Sequence, residues 1–253
     1  MNNERVNGSI SFDLDGKTAL VTGSTQGIGK AIAKCLAEYG AKVYIHGSSD
    51  MKKCQKVVDE IGHHAYAVVA DLSVDGCVQK LYEQTGDVDI LVLNASVQYR
   101  TPWHEITGEE FDRQVRINFK SSLELIQKYV PYMKNKKWGR IVTVGSVQQY
   151  KPHKDMAVYA ATKCAQMSLV HNLSKQLAAD GITVNNMSPG VIATPRNEQA
   201  LADEEYRKKV LENIPMGYEG NPEDCAGAIL LLCTDAGRYI TGIDLIVDGG
   251  MHL

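Results

Sequence analysis

The sequence is short of several things, and each shortage removes a class of function. No apolar run approaches the roughly 18 residues that a membrane-spanning helix needs, and the opening stretch MNNERVNGSISFDLDGK holds no leader-like apolar segment. A cytoplasmic protein with no membrane partner is the expectation. An excess of one charge is also missing: a net charge of −3 and a pI near 6.2 give no global attraction to nucleic acid, which is not expected as a partner. The six cysteines form no C-x-x-C pair and have no histidine at zinc spacing, so no metal is expected and reduced, buried thiols are the reading. Pro/Gly/Ser-rich linkers, low-complexity tracts and repeats are absent, which favours one domain over residues 1–253.

What is present is an alternation. Seven short apolar runs, at 18–22, 42–46, 65–70, 89–94, 140–145, 182–188 and 243–249, are separated by stretches with helical periodicity at about 28–40, 51–61, 109–133, 157–179 and 222–233. Several of the runs are continuously apolar, as strands become when helices cover both faces of a parallel sheet. The fold class is α/β: a single-domain Rossmann-type, doubly wound parallel sheet of about seven strands. One long charged segment, 190–221, interrupts the alternation and is read as a lid over a pocket.

Two motifs carry chemistry. The first strand runs into TGSTQGIG, residues 22–29, and then into a helix. Gly23, Gly27 and Gly29 allow a tight turn and close backbone approach, and the helix N-terminus offers unpaired N–H groups to a pyrophosphate. The second motif is Tyr-x-x-x-Lys, present at Tyr132/Lys136, Tyr150/Lys154 and Tyr159/Lys163. Pro152 disfavours a helical turn across the second pair. The first closes a long helix ahead of the fifth strand, at the sheet edge opposite the carboxyl ends where such sheets bind ligands. Only Tyr159/Lys163 falls on a helix just past a strand's carboxyl end, thirteen residues after Ser146.

T-G-x-x-x-G-x-G followed by this Tyr-x-x-x-Lys in a chain of 253 residues resembles the short-chain dehydrogenase/reductase family. Asp71, Asn94-Ala95, Asn118, Pro189-Gly190, Thr194 and VDGG at 247–250 match its pattern too. The resemblance implies NAD(H) or NADP(H) at the glycine turn, a small-molecule substrate and a homotetramer. It implies cofactor contacts from Ile28, Asp71, Leu72, Asn94, Ala95, Pro189, Gly190, Ile192 and Thr194. Ser146 would bond the substrate oxygen, and Tyr159 would be the general acid or base. Lys163 would hold the nicotinamide ribose, and Asn118 would anchor a water of the proton relay. The family usually has N-N-A-G where this chain has Leu93-Asn94-Ala95-Ser96, so Ser96 needs a backbone that tolerates a Cβ.

Elementary electrostatics supports the Tyr159/Lys163 assignment. Lowering a phenol by three pH units takes about 4 kcal/mol, which an ammonium about 4 Å away supplies at an effective dielectric of about 20. For the cofactor, the second strand ends His46-Gly47-Ser48-Ser49 with no carboxylate to bind a ribose 2′-hydroxyl and repel a phosphate. Thr25, Ser48 and Ser49 are placed to donate to a 2′-phosphate, so NADP(H) is favoured, with NAD(H) the alternative. The polar loop 148–156, with Arg100, Trp103 and His104, points to a small polar substrate such as a sugar, sugar acid or oxo acid. Two rival readings are a 3-oxoacyl-[acyl-carrier-protein] reductase, with Lys134, Lys136, Lys137 and Arg140 as a docking patch, and a non-catalytic cofactor sensor.

Overall fold

The computed structural model describes residues 10–62 and 64–253. Residues 1–9, the start of the polar opening stretch discussed above, lie outside them. All seven expected strands form: β1 Thr18–Val21, β2 Lys42–Gly47, β3 Ala65–Val69, β4 Ile90–Leu93, β5 Gly139–Val144, β6 Ile182–Pro189 and β7 Asp244–Val247. They make one parallel sheet in the order β3-β2-β1-β4-β5-β6-β7. The order reverses direction at β1 and β4, so a crevice opens beyond the carboxyl ends of those two strands.

The sheet is buried on both faces. One face packs Ala19, Val21, Ile90 and Val92 against Ile32 and Leu36, and against Ile229 and Leu232. The other packs Leu20, Leu91 and Ile141 against Leu81, Leu125 and Tyr129. This is why β4 reads ILVL without alternation: all four side chains are buried, each worth about 2 kcal/mol.

The helices are α1 Gly27–Glu38, α2 Met51–Ile61, α3 Cys77–Thr85, α4 Gly108–Val115, α5 Ser121–Lys136, α6 Ala157–Leu177, α7 Pro195–Leu201, α8 Glu204–Glu212 and α9 Pro222–Cys233. Asp50 caps α2 by accepting from the N–H groups of Lys52 and Lys53, and Thr107 and Glu110 form a capping box on α4. Two differences from the sequence reading appear. Helix α3 has no counterpart in it; the helix starts from Gly76 in the left-handed conformation without a side-chain cap, so its sequence carries no start signal. The single helix expected at 109–133 is α4 and α5 joined through a π-turn, Arg116–Lys120, which contains Asn118. Such turns occur often at functional sites.

The thiols are all unpaired, but burial is not uniform: Cys164 is exposed and Cys35 half-buried. Cys35 still packs against the core from α1, whereas Cys164 lies on the exposed side of α6.

Candidate active site

The glycine turn is stitched to the end of β4 from beneath. Thr22 is buried, and its hydroxyl oxygen accepts from the N–H groups of Asn94 and Ala95, 3.0 Å each, while donating to the Val92 carbonyl. The Asn94 amide donates to the Thr22 and Gly23 carbonyls, both at 2.9 Å. Gly23 and Gly27 have φ of +63° and +55°, a region side chains disfavour, which is why glycines stand there. Helix α1 begins at Gly27 with no side-chain cap from Gln26, so its first N–H groups remain available. An uncapped N-terminus in a glycine cradle is a donor set that fits a dinucleotide's pyrophosphate.

His46, which the sequence reading leaves without a role, props this turn. Its Nδ1 accepts from the Gly23 N–H at 3.0 Å, so Nε2 carries the proton and donates to the Ala70 carbonyl at 2.9 Å. Burial lowers its pKa to about 4. Since the folded pKa lies below the ordinary value near 6.5, stability is full above about pH 6.5 and falls between 6.5 and 4. The loss amounts to about 3 kcal/mol. A His46→Asn variant, which keeps an acceptor for Gly23, is expected to flatten the drop in melting temperature over that range. An unchanged acid limb would show that other groups set it. The available signal was a histidine ending an otherwise apolar strand.

The chemical end gathers at β5 and α6. Ser146 is buried just past β5, and its Oγ accepts from the Gln148 N–H at 3.2 Å, leaving its own proton to donate. Tyr159 and Lys163 share one face of α6, with Nζ 5.6 Å from the Tyr159 ring centre. Lys163 is fully buried and donates to the Val144 carbonyl at 2.7 Å and Gln166 Oε1 at 3.0 Å. Burial, with Arg196's charge second, lowers its pKa to about 7. Burial thus works against the ammonium charge on which the electrostatic argument from the sequence relies.

A cleft of about 830 Å³ joins the two ends. Gly23, Thr25, Gly27, Ile28, Gly29, Ser48, Asp71, Leu72, Asn94, Ala95, Ser146, Tyr159, Lys163, Pro189, Gly190, Ile192 and Thr194 all line it. Two expected residues do not. Ser49 lies outside the lining, and Asn118 sits below it with its amide committed to both backbone groups of Val97 and to Thr162 Oγ1. Burial pushes the Asp71 carboxyl up, but the Ser73 N–H and hydroxyl and the Arg113 charge hold it below the usual range. The Thr194 hydroxyl makes no capping bond to α7, and the residue lines the cleft. Of the three residues expected beyond β4, only Arg100 reaches the cleft; Trp103 and His104 are exposed outside it.

Segment 190–221 folds into α7 and α8 and closes on itself where Ile192 bridges Gly220. Its Arg196, another residue the sequence does not single out, donates to Ser96 Oγ at 3.1 Å and the Ser96 carbonyl at 2.7 Å. Ser96 is not at positive φ, so its Cβ brings no strain and its hydroxyl gains a partner. The lining carries six basic side chains (Arg100, Arg113, Lys151, Lys163, Arg196, Lys209) against one carboxylate, Asp71, although the whole chain is net negative. No cluster suited to a metal ion and no helix long and apolar enough to cross a membrane occur among the described residues.

Comparison with known proteins agrees with this geometry. A family model described as enoyl-(acyl carrier protein) reductase matches residues 23–252. The chain is 36% identical over 249 residues to the 3beta-hydroxysteroid dehydrogenase 1 of Eggerthella lenta, covering 95% of each. A crystal structure of a putative gluconate dehydrogenase from Agrobacterium tumefaciens superposes with a TM-score of 0.92 at 32% identity, over 96% of this chain and 99% of that one. A 3-oxoacyl (acyl-carrier-protein) reductase from Agrobacterium tumefaciens C58 with NADP bound gives 0.88 at 36% identity, over 94% and 95%.

Proposed function

The chain belongs to the short-chain dehydrogenase/reductase family, and from that premise we propose that it interconverts an alcohol and a carbonyl on a small anionic substrate with NADP(H). The observation that carries this reading is that one cleft holds both the glycine turn and the Ser146/Tyr159/Lys163 set, inside a basic lining. A nicotinamide cofactor, when bound, supplies or accepts the hydride. Ser146 donates its free proton to the substrate oxygen, and Tyr159 gives a proton in reduction or takes one in oxidation. Lys163, fixed by Val144 and Gln166, orients the ribose and exchanges the proton onward. Asn118 supports the relay by holding the chain at Val97 against α6.

For NADP, Thr25 and Ser48 line the cleft where a 2′-phosphate would lie, and the nearby Asp50 is engaged in capping α2. A relative that binds NADP supports the same choice. For the substrate, we take 190–221 as a lid that presents Arg196. Two of its guanidinium N–H groups are spent on Ser96, which leaves others for a carboxylate. We place the protein as a homotetramer in a reducing cytoplasm, where unpaired cysteines persist as thiols. The uncovered edge strand β7 and the fully exposed Tyr239 support self-association.

Acyl-thioester reduction is the second reading, favoured by the 3-oxoacyl reductase likeness. The basic patch offered for it is internally spent: Lys136 pairs with Asp89, Lys134 and Lys137 with Asp180, and buried Arg140 with Asp235. Nicotinamide absorbance with gluconate, glucitol and an acetoacetyl thioester, each with NAD and NADP cofactors, tests both. Turnover of gluconate with NADP is expected, and turnover of the thioester alone would reverse the choice. Within that panel, Arg196→Leu is expected to raise KM for gluconate about tenfold, the loss of roughly 1.5 kcal/mol from a charged hydrogen bond. An equal rise for glucitol would remove Arg196 as the anion contact.

A further inference from the structure

Behind Ser146 lies a polar network that joins three strands. Thr143 on β5, Asn186 on β6 and Asp244 on β7 are in register, and the Asn186 amide donates to Asp244 Oδ1 at 2.8 Å. The other carboxylate oxygen, Oδ2, accepts from Ser188 Oγ at 2.7 Å, Tyr150 OH at 2.6 Å and Gln149 Nε2 at 3.2 Å. Gln149 Oε1 in turn accepts from the Ser146 N–H at 3.0 Å.

We infer that Asp244 and Gln149 are positioning residues for the substrate-binding hydroxyl of Ser146, with Tyr150 clamping the same loop to β7. The inference rests on the reading of Ser146 given above. Its physical basis is polarity. A carboxylate only accepts, so Asp244 forces the Gln149 amide to present its NH2 to β7 and its oxygen to Ser146. Flipping that amide would set donor against donor at Ser146 and acceptor against acceptor at Asp244. Close packing limits any alternative: a Cβ on Gly145 would strike Asn186 Nδ2 and Gln149 Oε1 and come within 2.6 Å of Ser188 Oγ. Burial, followed by the Asp244 carboxylate, raises the Tyr150 pKa far above its ordinary value, which keeps the phenol a donor. Tyr150 therefore belongs to the site through Asp244, not as an acid or base, although it began as one of three Tyr-x-x-x-Lys candidates.

The test uses the full chain and the panel compound that the wild type turns over fastest. Asp244→Asn and Gln149→Glu each leave one wrong-polarity contact, and each is expected to lower kcat about 10-fold to 100-fold, as displacements of about 1 Å do. NADPH affinity, read by fluorescence, is expected to stay within twofold. The double variant restores the contacts of position 149, because the carboxylate introduced there accepts from both the Ser146 N–H and the amide introduced at position 244, but it sets that NH2 against the Tyr150 and Ser188 hydroxyls. Its kcat is expected to rise above that of the worse single variant without reaching wild type. A double variant no better than the worse single, or single variants within twofold of wild type, would overturn the inference. Ser146→Ala separates the two levels: if it loses turnover while Asp244→Asn does not, only the positioning role fails, and if it keeps turnover both fail. Should Asp244→Asn not fold, Tyr150→Phe decides, with an expected three-fold to ten-fold fall in kcat at unchanged melting temperature. No fall there would count against the inference.

Discussion

Tyr159→Phe is expected to lower kcat about 10³-fold, or about 4 kcal/mol in activation free energy, while leaving NADPH binding within twofold. The phenyl ring fills the same buried space on α6, and Tyr159 is 6% exposed, so the variant should fold as the wild type does. Only the proton donor at the cleft is lost. Ser146 already donates its hydrogen bond to the substrate oxygen, and Lys163 is held by Val144 and Gln166 one turn further along α6, so neither takes the place of the phenol. Tyr132→Phe is the matched control. Tyr132 sits beside Lys136, whose partner Asp89 precedes β4 at the edge of the sheet opposite the cleft. Stopped-flow measurement of NADPH oxidation with separate titration of cofactor binding distinguishes the outcomes. Retained turnover in Tyr159→Phe would end the proposed proton chemistry.

Gly29→Ala is expected to weaken NADPH binding about 100-fold. Position 29 is an ordinary helical residue of α1, so backbone conformation does not demand glycine there; space does. A Cβ would strike Asn94 Nδ2 and the Gly23 carbonyl, and lie 3.0 Å from the Ser24 Cα. Those are the groups that stitch the turn to β4. Overpacking costs about 1–3 kcal/mol, and displacing the Asn94 amide forfeits about 1 kcal/mol for each of two hydrogen bonds. A loss near 3 kcal/mol in the shape of the cofactor-binding turn corresponds to the 100-fold. Isothermal titration with NADPH and a thermal melt read the two parts of that loss. Wild-type affinity in Gly29→Ala would mean that the cofactor does not use the α1 N-terminus.

The sheet was legible because its strands are buried on both faces. Continuous apolar runs such as ILVL then mark strand positions directly, and all seven formed where expected. Helix α3 was not legible, since it opens on a left-handed glycine and lacks a capping side chain. The π-turn at Arg116–Lys120 was hidden for another reason: one extra residue in a turn barely disturbs the periodicity of a helix as long as α4 plus α5. Arg196 was invisible in a segment rich in charge, where only the contact with Ser96, a hundred positions earlier, sets it apart.

The sequence by itself determined the alternation of strands and helices, the glycine turn after β1 and the placing of Tyr159 and Lys163, of three equal-looking pairs, past the carboxyl end of a strand. Each of these is encoded in local spacing, strand ends and the i, i+4 geometry of one helix. Tertiary structure alone decided the burial of Lys163, the support of the turn by His46, the basic lining of the cleft and the Asp244–Gln149 brace behind Ser146. Those depend on burial and on side chains brought together from distant strands. Desolvation and hydrogen-bond polarity arise only when the chain has folded.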